Sequence, residues 1–166
     1  MKKIVIFAAA VILMKLTGLL PFEANDVASL LPVRALVVDM QNGQILLDGG
    51  DVSGSGPTLN AALEDMKNGA EGTLFLATAE QVILSPRARG LLPQVCRWEN
   101  LRPAAQIILA AEELPDPEKA ADYLEAHQGG ITLQQARAAL LRGQRVRLPL
   151  LHVTERGLRL ETRENG

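Results

Sequence analysis

Val33-Arg34-Ala35-Leu36-Val37-Val38-Asp39-Met40, then Gln41-Asn42-Gly43, then Gln44-Ile45-Leu46-Leu47 is the stretch that decides the fold class. Its first part is rich in β-branched and aliphatic residues and reads as a buried strand. Asn-Gly is the favoured pair for a two-residue hairpin turn, because both positions need a positive φ. Gln44 to Leu47 is then the returning strand.

Working outward from this hairpin, strands and helices mix. Asp48 to Gly56 holds four glycines and two serines and reads as a loop. Pro57 is placed to open a helix, where its missing N–H costs nothing. Leu59, Ala62, Leu63 and Met66 follow at helical spacing, and Asn68-Gly69 ends the run. Thr73–Ala77 and Gln81–Leu84 read as short apolar strands around Thr78-Ala79-Glu80. Pro86 starts another helix with Ala88, Leu91, Leu92 and Val95 on one face, and Pro93 shortens or kinks it. Ala104 to Ala110 reads as a strand. Asp116-Pro117 is an N-cap followed by proline at the first helical position; this helix runs to His127 and is closed by Gly129-Gly130. Thr132 and Gln135 have capping-box spacing for the next helix, which stops at Gly143. Val146–Val153 and Leu158–Glu161 form a last strand pair. The pattern begins and ends with hairpin-like pairs, so the expected class is α+β (mixed α/β), a small mixed sheet flanked by helices.

Upstream, Asn25–Leu31 reads as a short linker or helical turn ended by Pro32. Before it, Lys2-Lys3 precede an unbroken apolar run from Ile4 to Met14, the layout of an export signal. Lys15 interrupts the run and Leu16–Phe22 resume it; Ile4 to Phe22 just suffices to span a bilayer if Lys15 snorkels. Near Gly18 and Ala24 no clean small-x-small cleavage pattern exists, which favours a retained anchor over a cleaved signal. The positive-inside bias then puts the rest of the chain outside. Residues 1–24 are accordingly the signal peptide or membrane anchor, 25–128 an α/β domain, and 129–166 a helix plus a C-terminal strand pair.

Composition excludes several functions. Aromatic residues are 3% of the 166 and the formal net charge is −2, so neither a base-stacking surface nor a basic field for nucleic acid is expected. Cys96 is the single cysteine, which rules out an intrachain disulfide and a thiolate metal cluster. Gly54-Ser55-Gly56 before a helix invites an anion-binding reading at Gly54, Ser55, Gly56 and Thr58. The Lys that a Walker loop requires is replaced by Pro57-Thr58, and no third glycine completes a dinucleotide fingerprint. Asp48 and Asp51 flank Gly49-Gly50 as in a calcium loop, but Leu59 stands where the closing Glu belongs. Glu112, Glu113, Asp116 and Glu118 read as a solvated helix start. His127 and His152 have no sequence partner, so no catalytic residue, metal or cofactor is expected. Trp98, the only tryptophan, covers core or anchors a partner surface.

Several segments together resemble the N-terminal part of the Ger(x)C family, the C subunits of spore germinant receptors of Firmicutes. The parallel runs from Leu16-Thr17-Gly18 through Asn25-Asp26-Val27-Ala28 to Val33–Asp39. Gly54-Ser55-Gly56-Pro57-Thr58-Leu59-Asn60-Ala61-Ala62-Leu63 is similar to the family's glycine–threonine–alanine segment. Leu74–Leu84 is similar to its strand–turn–strand, and Gly90-Leu91-Leu92-Pro93 sits like the helix that follows. The likeness covers roughly residues 16 to 128, and Arg147–Leu160 looks like the opening strands of the family's last domain. Leu19 stands where the lipobox cysteine belongs, so lipidation there is excluded and any tether is the peptide itself. The chain is also less than half the family's usual length. The resemblance implies no reaction and no cofactor. It implies a membrane-tethered extracytoplasmic protein of the spore inner membrane whose partners are the other germinant receptor subunits, integral membrane proteins. The alternative is an exported small-ligand or anion-binding domain using the Gly49–Gly56 loop. A third reading, an exported enzyme using His152 or Asp51, requires polar groups to converge in one pocket.

Overall fold

A computed structural model describes residues 30–127 and 129–162. The segment expected to signal or anchor, residues 1–24 with Lys15 and Leu19, lies outside them. Among the described residues no helix is long and apolar enough to cross a membrane.

The strands are β1 (Leu30–Pro32), β2 (Ala35–Gln41), β3 (Gln44–Asp48), β4 (Ser53–Gly56), β5 (Thr73–Phe75), β6 (Gln81–Leu84), β7 (Gln106–Ala110), β8 (Ile131–Thr132), β9 (Leu150–Thr154) and β10 (Gly157–Glu161). The helices are α1 (Leu59–Gly69), α2 (Leu92–Val95), α3 (Pro117–Ala126) and α4 (Leu133–Leu141), with 3-10 turns at Leu76–Thr78 and Arg87–Leu91. The main sheet has the order β10-β9-β7-β6-β2-β3-β4, with β8 paired to β7, while β1 and β5 form a separate pair. Strands β2, β6, β7 and β9 are parallel, and both edges are antiparallel hairpins. The expected mixed α/β class with a mixed sheet and flanking helices is what the chain adopts.

The centre follows from hydrophobicity on both faces. Ala35–Asp39 and Gln81–Leu84 are buried at every position, which a strand reaches only when helices cover both sides of it. One face places Leu36, Val38, Val82, Leu84, Ile107 and Leu109 under α1, α2 and α4. The other places Val37, Ile83, Ile108 and Leu151 under Ala120 and Leu124 of α3. Arg34 strengthens that docking through Asp122 at 2.7 Å and Glu125 at 2.9 Å, and the Leu160 N–H donates to the Tyr123 hydroxyl at 3.0 Å, pinning β10 to α3.

The Asn42-Gly43 turn forms as expected, with φ of 51° and 80° and Gln41 opposite Gln44. So do the capping box of α4, where Thr132 accepts from Gln135 N and Gln135 accepts from Thr132 N, and the Asp116 cap of α3. Six local expectations are corrected. Leu30–Pro32 is a strand, not the end of a linker or helical turn. Ser53–Gly56 is a strand, β4, not part of a loop. The helix after it begins at Leu59 with Thr58 as its cap, not at Pro57. The strand expected over Thr73–Ala77 ends at Phe75 and gives way to the 3-10 turn Leu76–Thr78; β5 joins β1, and β6 enters the sheet between β2 and β7, because its four buried residues need two covered faces. Pro86 leads a 3-10 turn, and Pro93 falls in the first turn of α2, where no N–H is required. The last strand begins at Leu150 rather than Val146; Gln144–Pro149 leads into it outside any ladder, with Arg145 and Arg147 outward and Val146 and Leu148 inward.

Candidate functional site

The residues that the sequence offers as an anion cradle are committed elsewhere. Ser55 N–H donates to Asp65 Oδ2 at 2.8 Å and the Ser55 hydroxyl reaches the same oxygen at 3.4 Å. Thr58 Oγ1 accepts from Ala61 N at 3.1 Å. A Cβ on Gly54 would overlap the backbone of Ala62 and Met66, and one on Gly56 would lie 2.6 Å from Ala62 N. The glycines therefore let α1 lie directly on β4, and a carboxylate already takes the strand's outward N–H. At Asp48, Oδ1 accepts from Gly50 N at 2.9 Å in a polar turn. Trp98 is only 9% exposed; its indole N–H donates to Asn60 Oδ1 at 2.8 Å, which closes α1 onto the core.

The histidines are apart. The His127 ring stacks on Tyr123 with centroids 4.2 Å apart. His152 lies 3.2 Å from Glu161 Oε2 and borders a hollow of about 430 Å³ with Glu112, Glu113 and Glu155. Asp51 is in the turn between β3 and β4, so the two residues named for an exported enzyme do not share a pocket. Cys96 lines a separate hollow of about 450 Å³; burial pushes its thiol up, against a smaller opposing pull from Arg137. Among the described residues no group of three or more His, Cys, Asp or Glu could hold a metal ion.

Among the described residues, Asp39 is the buried charge. It directly follows the part of β2 that pairs with β6, at the carboxyl side of the parallel strands, where open α/β sheets place ligands. It is 3% exposed. Its Oδ2 accepts from Gln41 Nε2 at 2.9 Å and from Arg87 at 2.6 Å, while Oδ1 is buried without a hydrogen-bond partner. Burial alone would push the carboxyl up; the nearby Ser85 hydroxyl, Gln41, the Met40 N–H and the Arg87 charge outweigh it and hold it below its ordinary value. The arrangement ties the ends of β2 and the Arg87 turn together.

The open and charged site lies at the other margin of the sheet. Arg145 and Arg147 are exposed and alternate with Val146 and Leu148, which turn inward to the core. The segment that carries them borders a cleft of about 620 Å³ facing Gly129, Gly130 and Ile131. It also borders a cleft of about 780 Å³ whose wall includes Arg89. Among the described residues no carboxylate pairs with Arg89, Arg145 or Arg147, whereas Arg34, Arg87 and Arg102 are all paired. Residues 129–162 hold six arginines against two glutamates, and residues 30–127 hold fourteen carboxylates against seven cations. The chain is thus acidic on the whole but locally basic here, a concave wall of positive charge. The sequence carries one trace of it, the Arg145-Val146-Arg147-Leu148 alternation; nothing in it brings Arg89 alongside.

No family model, no curated protein and no solved structure matches the chain.

Proposed function

We propose that this chain is a membrane-associated, extracytoplasmic protein of spore germination or sporulation. In this reading it acts without catalysis, by protein–protein contact, in the manner of a germinant receptor C subunit. The observation that carries the reading is the ordered series of segments similar to that family, from Leu16-Thr17-Gly18 through Gly54–Leu63 to Gly90–Pro93. Two physical features support contact over chemistry: His152 and Asp51 lie apart, and arginines with no carboxylate partner among the described residues line a cleft. The apolar run after Lys2-Lys3 supports the membrane placement. The partners are integral subunits of the same receptor. The test is deletion of the gene in the spore-former that encodes it, with nutrient-triggered dipicolinate release as the readout. Slowed or abolished release is expected, and wild-type germination and sporulation would overturn the proposal.

A further inference from the structure

The edge of β7 is divided between two strands. Its first half pairs with β8, Gln106 opposite Thr132 and Ile107 opposite Ile131. Its second half pairs with β9, Leu109 opposite Leu150 and Ala110 opposite Leu151. The chain entering β9 cannot occupy the place that β8 already holds, so Gln144–Pro149 diverges and leaves the cleft of about 620 Å³ between itself and Gly129–Ile131. Gln144 N–H donates to Ala139 O, and Pro149 O accepts from Leu109 N. Between those two bonds, among the described residues, the backbone of Arg145–Leu148 makes no hydrogen bond to other backbone. Extended backbone with free donors and acceptors beside a sheet is what an added strand pairs with.

We propose that this split in the sheet is the docking site for an extended acidic peptide segment of a partner protein, which adds as a strand along Arg145–Leu148. Three observations fix the chemistry. First, Arg145 and Arg147 lie two residues apart in extended chain, so their side chains leave the same face about 7 Å apart. An added strand meets them with acidic residues at alternate positions. Second, the side chain of Gln106 at the floor of β7 has Oε1 buried without a partner, against Gly130, where a Cβ would lie only 2.8 Å from that oxygen. The cleft wall at Gly129-Gly130 has no side chain of its own and is backed closely by Thr162, Leu160 and Gln106. Third, Arg89, which has no carboxylate partner among the described residues, adds a further cation beside the same segment. A phosphate chain would use the cations but not the free backbone, and the scarcity of aromatic residues gives nucleic-acid bases nothing to stack on.

The inference rests on the proposed function only in taking the ligand to be a protein. The probe is fluorescein-labelled Glu-Val-Glu-Val-Glu, titrated by anisotropy into the full chain in mild detergent at low salt. Saturable binding is expected, with amide shifts and slowed hydrogen exchange at Arg145, Val146, Arg147 and Leu148. The variant Arg145→Ser/Arg147→Ser, whose side chains are exposed and which therefore folds, is expected to bind about fivefold or more weakly, the sum of two partly screened ion pairs. A Lys-Val-Lys-Val-Lys probe is expected not to bind. An alternately N-methylated acidic probe that bound equally well would overturn strand addition. So would an acidic probe that left the four amides unmoved. Phosphatidylglycerol vesicles that bound through Arg145 and Arg147 while the peptide did not would overturn the peptide in favour of a lipid surface. A normal germination phenotype on deletion would sink the proposed function and leave this binding result standing, so the two failures are distinguishable.

Discussion

Replacing Gly54 by alanine adds one methyl group at the point where α1 touches β4. That methyl would overlap Met66 N and Ala62 O, both backbone atoms in the middle of a helix, so no side-chain rotation relieves it. The helix must lift off the strand. Doing so loosens the packing of Leu59, Ala62, Leu63 and Met66, all buried. Overpacking of this kind costs about 1–3 kcal/mol, and a clash with helix backbone belongs at the upper end. For a domain of this size about 3 kcal/mol lowers Tm by roughly 10 °C. Thermal unfolding followed by circular dichroism measures it, with two controls. Gly69→Ala, with no atom within 4 Å and no positive φ, should change Tm by no more than about 3 °C. Gly43→Ala meets no atom either but sits at φ 80°, so it should cost only the left-handed strain of about 1–2 kcal/mol. A Gly54→Ala protein as stable as the wild type would refute the close-packing account of the glycine segment. If 10 mM phosphate also raised the wild-type Tm and not the variant's, the anion-cradle reading of Gly54–Thr58 would replace it.

Asp39→Asn removes a charge that Gln41 and Arg87 hold, and should cost about 1.5–3 kcal/mol at neutral pH. Because the folded carboxyl lies below its ordinary value of 3.8, its contribution is complete above that value and fades as pH falls through the lower folded one; urea unfolding against pH should show a flatter acid limb in the variant, and an unchanged limb would contradict the assignment. Trp98→Phe leaves Asn60 Oδ1 without its donor and should lose about 1 kcal/mol, while the wild-type emission of this single tryptophan should be blue-shifted and move red on unfolding; a native spectrum like that of free indole in water would place the ring outside the core. Thr132→Ala deletes one half of the capping box of α4 and should cost about 1 kcal/mol in chemical denaturation, with Thr132→Ser restoring most of it.

What could be read along the chain is what neighbouring residues decide among themselves. The Asn42-Gly43 turn, the caps at Asp116 and Thr132, and the apolar stripe of α1 each involve groups within a few positions of one another, so their periodicity and turn chemistry appear in the sequence. The mixed class followed from the same signals. Tertiary structure decided where each strand went. Gln81–Leu84 shows only that both its faces want cover; that β2 and β7 flank it depends on contacts remote in sequence. Ser53–Gly56 looks like a loop because glycine is a poor strand former, and it becomes β4 only because α1 must lie against its bare backbone. The division of the β7 edge between β8 and β9, and with it the approach of Arg89 to Arg145 and Arg147, has no local signature at all. Alternation along Arg145–Leu148 set which side chains face outward, but the cleft they line exists because two strands compete for one edge, and only the folded sheet holds both.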